Sequence, residues 1–183
     1  AHGWWLKDEV KMSKSRGNVI DPHLLLTHFG SDAVRYFLLR EVPFGLDGTF
    51  SYEAVIQRIN SDLANDFGNL VSRTLTLVAK NFSNGMPYPS AIEGRLGLDQ
   101  EMERKALATV ATYQSHMDGL AFSKALESVW DLLAHANRYL NESAPWALTD
   151  NLAERPRLAT ILYTSAETIR IATLLLAPVL PES

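Results

Sequence analysis

A short polar segment near the start of the sequence carries two lysines and two serines within five residues. The segment, KMSKS, spans residues 11–15 and continues through Arg16 to Gly17-Asn18, a pair typical of a turn. Ammonium groups and hydroxyls on one loop can neutralise the charge that develops on a departing pyrophosphate, and such electrostatic stabilisation is usually a large catalytic contribution. Because most lysine-rich loops are simply solvated, composition alone leaves both interpretations open.

The segment 11–15 is identical to the KMSKS signature of class I aminoacyl-tRNA synthetases. The continuation also resembles that family: GNVIDP at 17–22 and GSDAVRYFLLRE at 30–41 are similar to the segment after the signature in the methionine, isoleucine, leucine and valine enzymes. In these enzymes the loop closes over ATP and stabilises the transition state of amino-acid activation. The resemblance therefore implies an ATP-dependent ligase, with ATP as a substrate accompanied by Mg²⁺.

The same resemblance assigns roles to the loop residues. It implies that Lys11 and Lys14 are catalytic, with Lys14 the strongest candidate for the phosphates, and that ATP is bound by Lys11, Ser13, Lys14 and Ser15. Lysine suits this role because it is a compact point charge on a flexible stem. The pair His2-Gly3, just upstream, resembles the strand that runs near the nucleotide.

Two blocks in the second part of the chain resemble the methionine enzymes in particular. They are LDGTFSYEAVIQRINSDLANDFGNLVSR at 46–73 and NRYLNESAPWAL at 137–148. The one departure is Thr49-Phe50, where an acidic-aromatic pair is more usual. Alternatives are another class I synthetase, for isoleucine, leucine, valine or cysteine, whose loop usually has Leu at the position of Arg16, and a non-catalytic tRNA-binding helical module.

Polar residues at a spacing of four suggest an RNA-binding face. Asn65, Asn69 and Arg73 line one stripe of a predicted helix, away from its apolar stripe. Amides and a guanidinium suit base edges, although an ordinary polar helix face has the same pattern. Trp146 follows Pro145 at a predicted helix end, where its ring either stacks on a base or packs into the bundle.

The resemblance to the methionine enzymes implies which of these residues read the anticodon. In that family a Pro-Trp pair, with an Asn and an Arg of the first long helix, recognises the cytosine at the first anticodon position. Carried over, this assigns anticodon binding to Asn69, Arg73, Pro145 and Trp146. Asn65 and Asn137 are expected nearby.

The pattern of apolar and turn-forming residues predicts a mainly α fold. Residues 2–10 predict one or two short strands, Asp21-Pro22 and Ser31-Asp32 each open a helix, and 43–50 predict a connector. Longer helices are predicted from Tyr52 to about Phe82, with Ile56, Ile59, Leu63, Phe67, Leu70 and Leu77 facing inward, and then at roughly 99–118, 122–142 and 156–177, separated by a loop at 83–97. In the third of these four helices Leu126, Val129, Leu133 and Leu140 are predicted to face inward, as is Trp130.

This layout predicts two domains. Residues 1–50 are interpreted as the end of a Rossmann-type class I synthetase catalytic domain, and 51–183 as an α-helix bundle that binds the anticodon. The start at Ala1 without Met predicts a fragment boundary. We expect the amino-acid pocket to lie upstream, so that the fragment alone is inactive, and the implied partners are methionine tRNA, ATP and L-methionine.

The overall composition limits the remaining possibilities. A formal net charge of −4 argues against a protein that binds nucleic acid non-specifically through a strong basic field, and hence against a DNA-binding role. There is no cysteine, and the five histidines lack metal-ligand spacing, so no metal site is expected in the chain. The absence of cysteine fits a reducing cytoplasm, and no membrane association is predicted.

Overall fold

Three short strands form a small sheet at the start of the chain. The computed structural model describes residues 3–89 and 97–183. The one or two strands predicted at 2–10 are β1 (Trp5–Lys7) and β2 (Val10–Lys11), which pair antiparallel, and β3 (Gly48–Thr49) pairs parallel to β1 on its other side. The predicted connector at 43–50 also contains a short strand that the sequence did not predict, because its residues 48–49 pair with β1.

Two helices connect the sheet to the bundle. Helix α1 spans Pro22–Phe29 and is capped by Asp21, whose carboxylate accepts a hydrogen bond from the His23 backbone N–H at 2.9 Å. Helix α2 spans Ser31–Glu41. Gly30 separates them with a φ of 80°, a left-handed value that glycine adopts at low cost.

The predicted first long helix begins and ends as expected but changes type in the middle. Helix α3 spans Tyr52–Arg58, a π-helical segment spans Ile59–Gly68, and α4 spans Asn69–Asn81. A π-helix pairs each N–H with a carbonyl five residues back, and the Asn69 N–H accordingly donates to the Ala64 carbonyl. The prediction of one continuous α-helix missed this segment, because side-chain periodicity does not reveal backbone hydrogen-bond type.

One residue of the predicted inward stripe faces outward. Ile56 is 47% exposed, whereas its neighbour Val55 is 1% exposed. Val55 and Ile59 lie one turn apart and pack toward α2, so Ile56, about 100° further round the helix, faces solvent. The other predicted inward residues of this stretch lie in or against a core cluster.

The remaining helices pack with α4 into a bundle. They are α5 (Gly97–Asp118), α6 (Phe122–Ser143) and α7 (Arg155–Leu176), and short 3₁₀ segments at Pro145–Ala147 and Leu152–Glu154 connect the last two. The four predicted inward residues of α6 and Trp130 are all buried. Of the predicted loop at 83–97, residues 90–96 lie outside the described part.

Helix α2 takes part in the core of the bundle. The Tyr36 ring, fully buried, lies 4.7 Å from the Trp130 ring of α6. The Tyr36 hydroxyl donates to Asp62 of the π-helical segment at 2.6 Å, and Arg58 contacts the same carboxylate oxygen at 3.4 Å. Burial, and then this carboxylate, raises the pKa of Tyr36 well above its usual range. Helix α2, which follows the loop in the chain, is thus packed directly against the bundle.

A second buried polar group ties the bundle helices together. Asp99 of α5 is fully buried and accepts hydrogen bonds from Tyr139 of α6 and Arg157 of α7, each at 2.5 Å. A buried carboxylate needs such partners, since desolvation without them costs several kcal/mol.

Within residues 3–89 and 97–183, no helix combines the length and hydropathy required to cross a membrane.

Candidate functional site

One side chain, that of Asn18, joins the two ends of the loop at 11–18. The Asn18 amide oxygen accepts a hydrogen bond from the Ser13 N–H at 2.8 Å, and its nitrogen donates to the Lys11 carbonyl at 3.2 Å. Met12, between them, packs against the core cluster built around Phe37. The loop is therefore anchored at its base by an amide bridge and an apolar side chain.

The tip of the loop forms a single tight turn. Lys14–Arg16 is a 3₁₀ segment, and Gly17 ends it with a φ of 67°, its N–H donating to the Lys14 carbonyl at 3.2 Å. The hydroxyls of Ser13 and Ser15 lie 2.8 Å apart. These two hydroxyls are thus brought to one side of the turn, where they can bind one oxygen-rich ligand together.

The two lysines of the loop have different surroundings. The Lys11 ammonium lies over the Trp4 ring, 3.0 Å from its centroid, in a cation–π contact. The Lys14 side chain is exposed, and within the described ranges no hydrogen bond or ion pair holds its ammonium. Lys14 is therefore available to an incoming anion, and Lys11 becomes available on leaving an aromatic face. His2, expected near the nucleotide, lies outside the described residues.

A second cluster lies where α6 ends. Ala144 adopts a left-handed φ of 43° that breaks the helix, and Pro145 starts the short 3₁₀ segment that carries Trp146. Pro145 is buried, whereas Trp146 is 48% exposed. Of the two positions considered for this indole, the structure selects the exposed one, so a flat aromatic surface is open to solvent.

An arginine from α4 faces this exposed indole. The Arg73 guanidinium carbon lies 5.7 Å from the centre of the Trp146 ring, and one of its nitrogens donates to the Asn141 amide oxygen at 2.7 Å. Asn141 thereby orients the guanidinium beside the ring. A planar cation next to an exposed aromatic ring is suited to a nucleic-acid base, through stacking and through hydrogen bonds to its edge.

The three predicted asparagines have different positions relative to this cluster. Asn69 is exposed one turn before Arg73 on α4, and Asn65 is exposed within the π-helical segment. Asn137 instead joins two helices, because its amide nitrogen donates to the carbonyls of Asp66 and Leu133 at 3.1 and 3.2 Å. Asn137 therefore bridges α6 and the π-helical segment.

Sequence reasoning missed Asn141. It lies one helical turn after Asn137 and inside the NRYLNESAPWAL block, so spacing along α6 offered a signal for it. Its contact with Arg73 joins residues 68 positions apart in the chain. Periodicity along one helix cannot specify such a pair between helices.

Comparison with known proteins identifies both parts of the chain. Residues 1–75 match the family described as class I tRNA synthetases (M), and residues 93–183 match the anticodon binding domain of methionyl tRNA ligase. The chain is 48% identical over its whole length to a methionine–tRNA ligase of Caldanaerobacter subterraneus, covering 28% of that protein. It is 46% identical to a methionine–tRNA ligase of Mycobacterium leprae, covering 34% of it.

A solved structure agrees with these sequence relatives. The chain superimposes over its full length on Mycobacterium tuberculosis methionyl-tRNA synthetase in complex with methionyl-adenylate, with a TM-score of 0.92 and 44% identity, and covers 36% of that chain. It thus spans about a third of the relatives that it matches. The two relatives and the solved structure described above are methionine enzymes, and the second family model is that of the methionyl tRNA ligase anticodon domain. The chain belongs to the methionyl-tRNA synthetase family of class I aminoacyl-tRNA synthetases.

Proposed function

We propose that this chain supplies the phosphate-binding loop and the anticodon-binding surface of a cytoplasmic methionine–tRNA ligase. That enzyme activates L-methionine with ATP to form methionyl-adenylate and pyrophosphate, and then transfers the methionyl group to methionine tRNA. The observation that carries the proposal is that a KMSKS loop with an available ammonium and an exposed Trp–Arg cluster occur together on one chain of this family.

In the first step, the loop acts on the phosphates of ATP. Lys11, Ser13, Lys14 and Ser15 bind the phosphates, and the two lysines neutralise charge as it develops on the departing pyrophosphate. Mg²⁺ accompanies ATP as part of the substrate. The exposed Lys14 ammonium supports this role, since a solvated lysine can move to an anion at little cost in lost contacts.

In the second step, the cluster at the end of α6 selects the tRNA. Trp146 stacks on the cytosine at the first anticodon position, and Arg73 and Asn69 contact its edge. Pro145 fixes the indole, because its buried ring and the 3₁₀ turn determine where the next side chain points. Residues 51–183 serve as the anticodon-binding domain, and residues 1–50 as the end of the catalytic domain.

The activity is tested on the full-length ligase that contains this chain. We expect ATP–pyrophosphate exchange with methionine, and none with isoleucine, leucine, valine or cysteine supplied instead. The 183-residue chain alone is expected to form no adenylate, because the proposed amino-acid pocket lies outside it. Methionine-dependent exchange by the chain alone would contradict this division of labour.

Anticodon reading is tested separately on the 183-residue chain. Fluorescence anisotropy with a labelled anticodon stem-loop should show tighter binding to a CAU loop than to a UAU loop of the same stem. Equal binding to both loops would refute base recognition. If the ligase showed no exchange while the CAU preference persisted, the non-catalytic tRNA-binding interpretation would replace the enzymatic one.

A further inference from the structure

We propose that Asn18 is a positioning residue for amino-acid activation. Its amide joins the two ends of the loop, residues 11–13 and residue 18, and thereby fixes where Lys11 and Lys14 present their charges. The inference rests on the proposed function of the loop. It adds a residue outside the KMSKS signature that touches no substrate group and acts through the loop backbone.

The geometry of the amide is specific to asparagine. Both ends of the side chain are used: its oxygen accepts from the Ser13 N–H at 2.8 Å, and its nitrogen donates to the Lys11 carbonyl at 3.2 Å. A carboxylate would keep the first bond and lose the second, and a methyl group would lose both. The amide thus bridges the segment that enters the loop, at Lys11 and Ser13, and the segment that leaves it, at Asn18.

The loop beyond this bridge already has its own internal hydrogen bonds. The Arg16 N–H donates to the Ser13 carbonyl at 3.1 Å, and the Gly17 N–H to the Lys14 carbonyl at 3.2 Å. With the amide in place, the loop is therefore closed on itself. Because this closed unit is bonded at its base to Lys11, which is held in β2, Lys14 keeps a fixed spacing from Lys11 when both lysines meet the phosphates.

Without the amide, the turn at 14–16 and the residues at the base of the loop, including Lys11, are free to move separately. The two lysines would still be present, but each would have to find the phosphates independently, and ordering them would cost conformational entropy during the reaction. Such a loss affects the transition state more than the binding of methionine. It therefore predicts a selective effect on the rate of adenylate formation.

The first experiment measures single-turnover adenylate formation by the full-length ligase carrying Asn18→Ala or Asn18→Asp. Two ordinary hydrogen bonds correspond to a rate loss of about 5- to 150-fold for Asn18→Ala, with a smaller loss for Asn18→Asp and an unchanged KM for methionine. Asn151→Ala is the matched control, since Asn151 also accepts from a backbone N–H, that of Ala153 at 3.0 Å, but lies between α6 and α7. A loss no greater than that of the control would overturn the proposal.

The second experiment asks whether Asn18 acts through the lysine. In a Lys14→Ala background, Asn18→Ala should cost much less than it does alone, because residues that act as a unit are not additive. Fully multiplicative effects would overturn the positioning role. If Lys14→Ala itself left activation unchanged, the proposed function of the loop would fail, and the positioning role with it.

A structural readout separates these two failures. Amide hydrogen exchange on the 183-residue chain should show a protected Ser13 N–H in the native sequence and in Asn18→Asp, and an unprotected one in Asn18→Ala. This pattern depends on the bridge and not on ATP, so it is expected whether or not the loop binds phosphates. An unprotected Ser13 N–H in the native chain would show that the bridge does not form and would overturn the inference directly.

Discussion

At the scale of single residues, the exposed ammonium of Lys14 leads to a prediction about catalysis. We expect Lys14→Ala in the full-length ligase to slow methionyl-adenylate formation by about 10²–10³-fold, while methionine binding changes little, because the interaction strengthens only as charge develops. Pre-steady-state kinetics of pyrophosphate release measures this effect. The matched control is Lys80→Ala, a lysine exposed on α4. A raised KM for methionine with an unchanged activation rate would contradict the prediction.

A second residue-scale prediction concerns Trp146. Removing the ring in Trp146→Ala should lower kcat/KM for tRNA by about 5- to 150-fold, the equivalent of one stacked base. Methionine activation and the melting temperature should change little, because the indole is 48% exposed. Charging assays, exchange assays and thermal melts on one preparation measure all three quantities.

Trp130→Ala is the contrasting variant. This indole is 8% exposed and contacts Tyr36, so its removal should destabilise the chain by about 3–5 kcal/mol.

A Trp146→Ala protein that charged a CAU-anticodon tRNA normally would exclude the anticodon role. The sequence predicted that Pro145 places this ring at a helix end, but not on which side, since that depends on α4 and its Arg73.

At the scale of elements, the helix that starts at Tyr52 offers a test of register. Val55→Ala should lower the free energy of unfolding by about 1.5–3 kcal/mol, because Val55 is 1% exposed and its methyl groups leave a cavity. Ile56→Ala, at the next position, should change it by less than about 0.5 kcal/mol. Urea unfolding monitored by circular dichroism measures both values, and the reverse order would mean that the predicted stripe was correct after all.

The same helix shows what sequence could and could not predict. Its start was predictable because Ser51 is a strong N-cap, and its side chain does accept from the Ala54 N–H at 3.0 Å. The π-helical segment was not predictable from sequence. It contains Asp62, whose buried carboxylate binds the Tyr36 hydroxyl, and a contact between residues 26 positions apart leaves no local pattern. Likewise, the strand at Gly48–Thr49 exists only because β1 is present to pair with it.

At the scale of the whole molecule, the position of Tyr36 affects how the proposed domains behave when separated. The helical part 51–183 should fold cooperatively on its own, since its helices share one core. It should nevertheless melt at a lower temperature than the 183-residue chain, because it lacks the Tyr36 ring that covers Trp130 and the hydroxyl that binds Asp62. Thermal melts of the two proteins by circular dichroism provide the comparison.

The outcome of that comparison bears on the proposed boundary at residue 50. Equal melting temperatures would mean that α2 adds nothing to the bundle, and little helix in 51–183 would mean that the bundle needs α2 to fold. Tyr36→Phe in the whole chain is the control for the hydroxyl alone. It should lose part of the stability, because Asp62 would lose one of its hydrogen bonds while the ring contact remained.

The contact between Lys11 and Trp4 gives the loop an intrinsic optical signal. An ammonium held over an indole changes the energy of its excited state, and the half-exposed Trp4 is the tryptophan closest to that charge. On the proposed movement of Lys11 to a phosphate, the emission of Trp4 should change in the same step. Stopped-flow fluorescence of the full-length ligase mixed with ATP would then time loop closure without a label, and Trp4→Phe should abolish the signal.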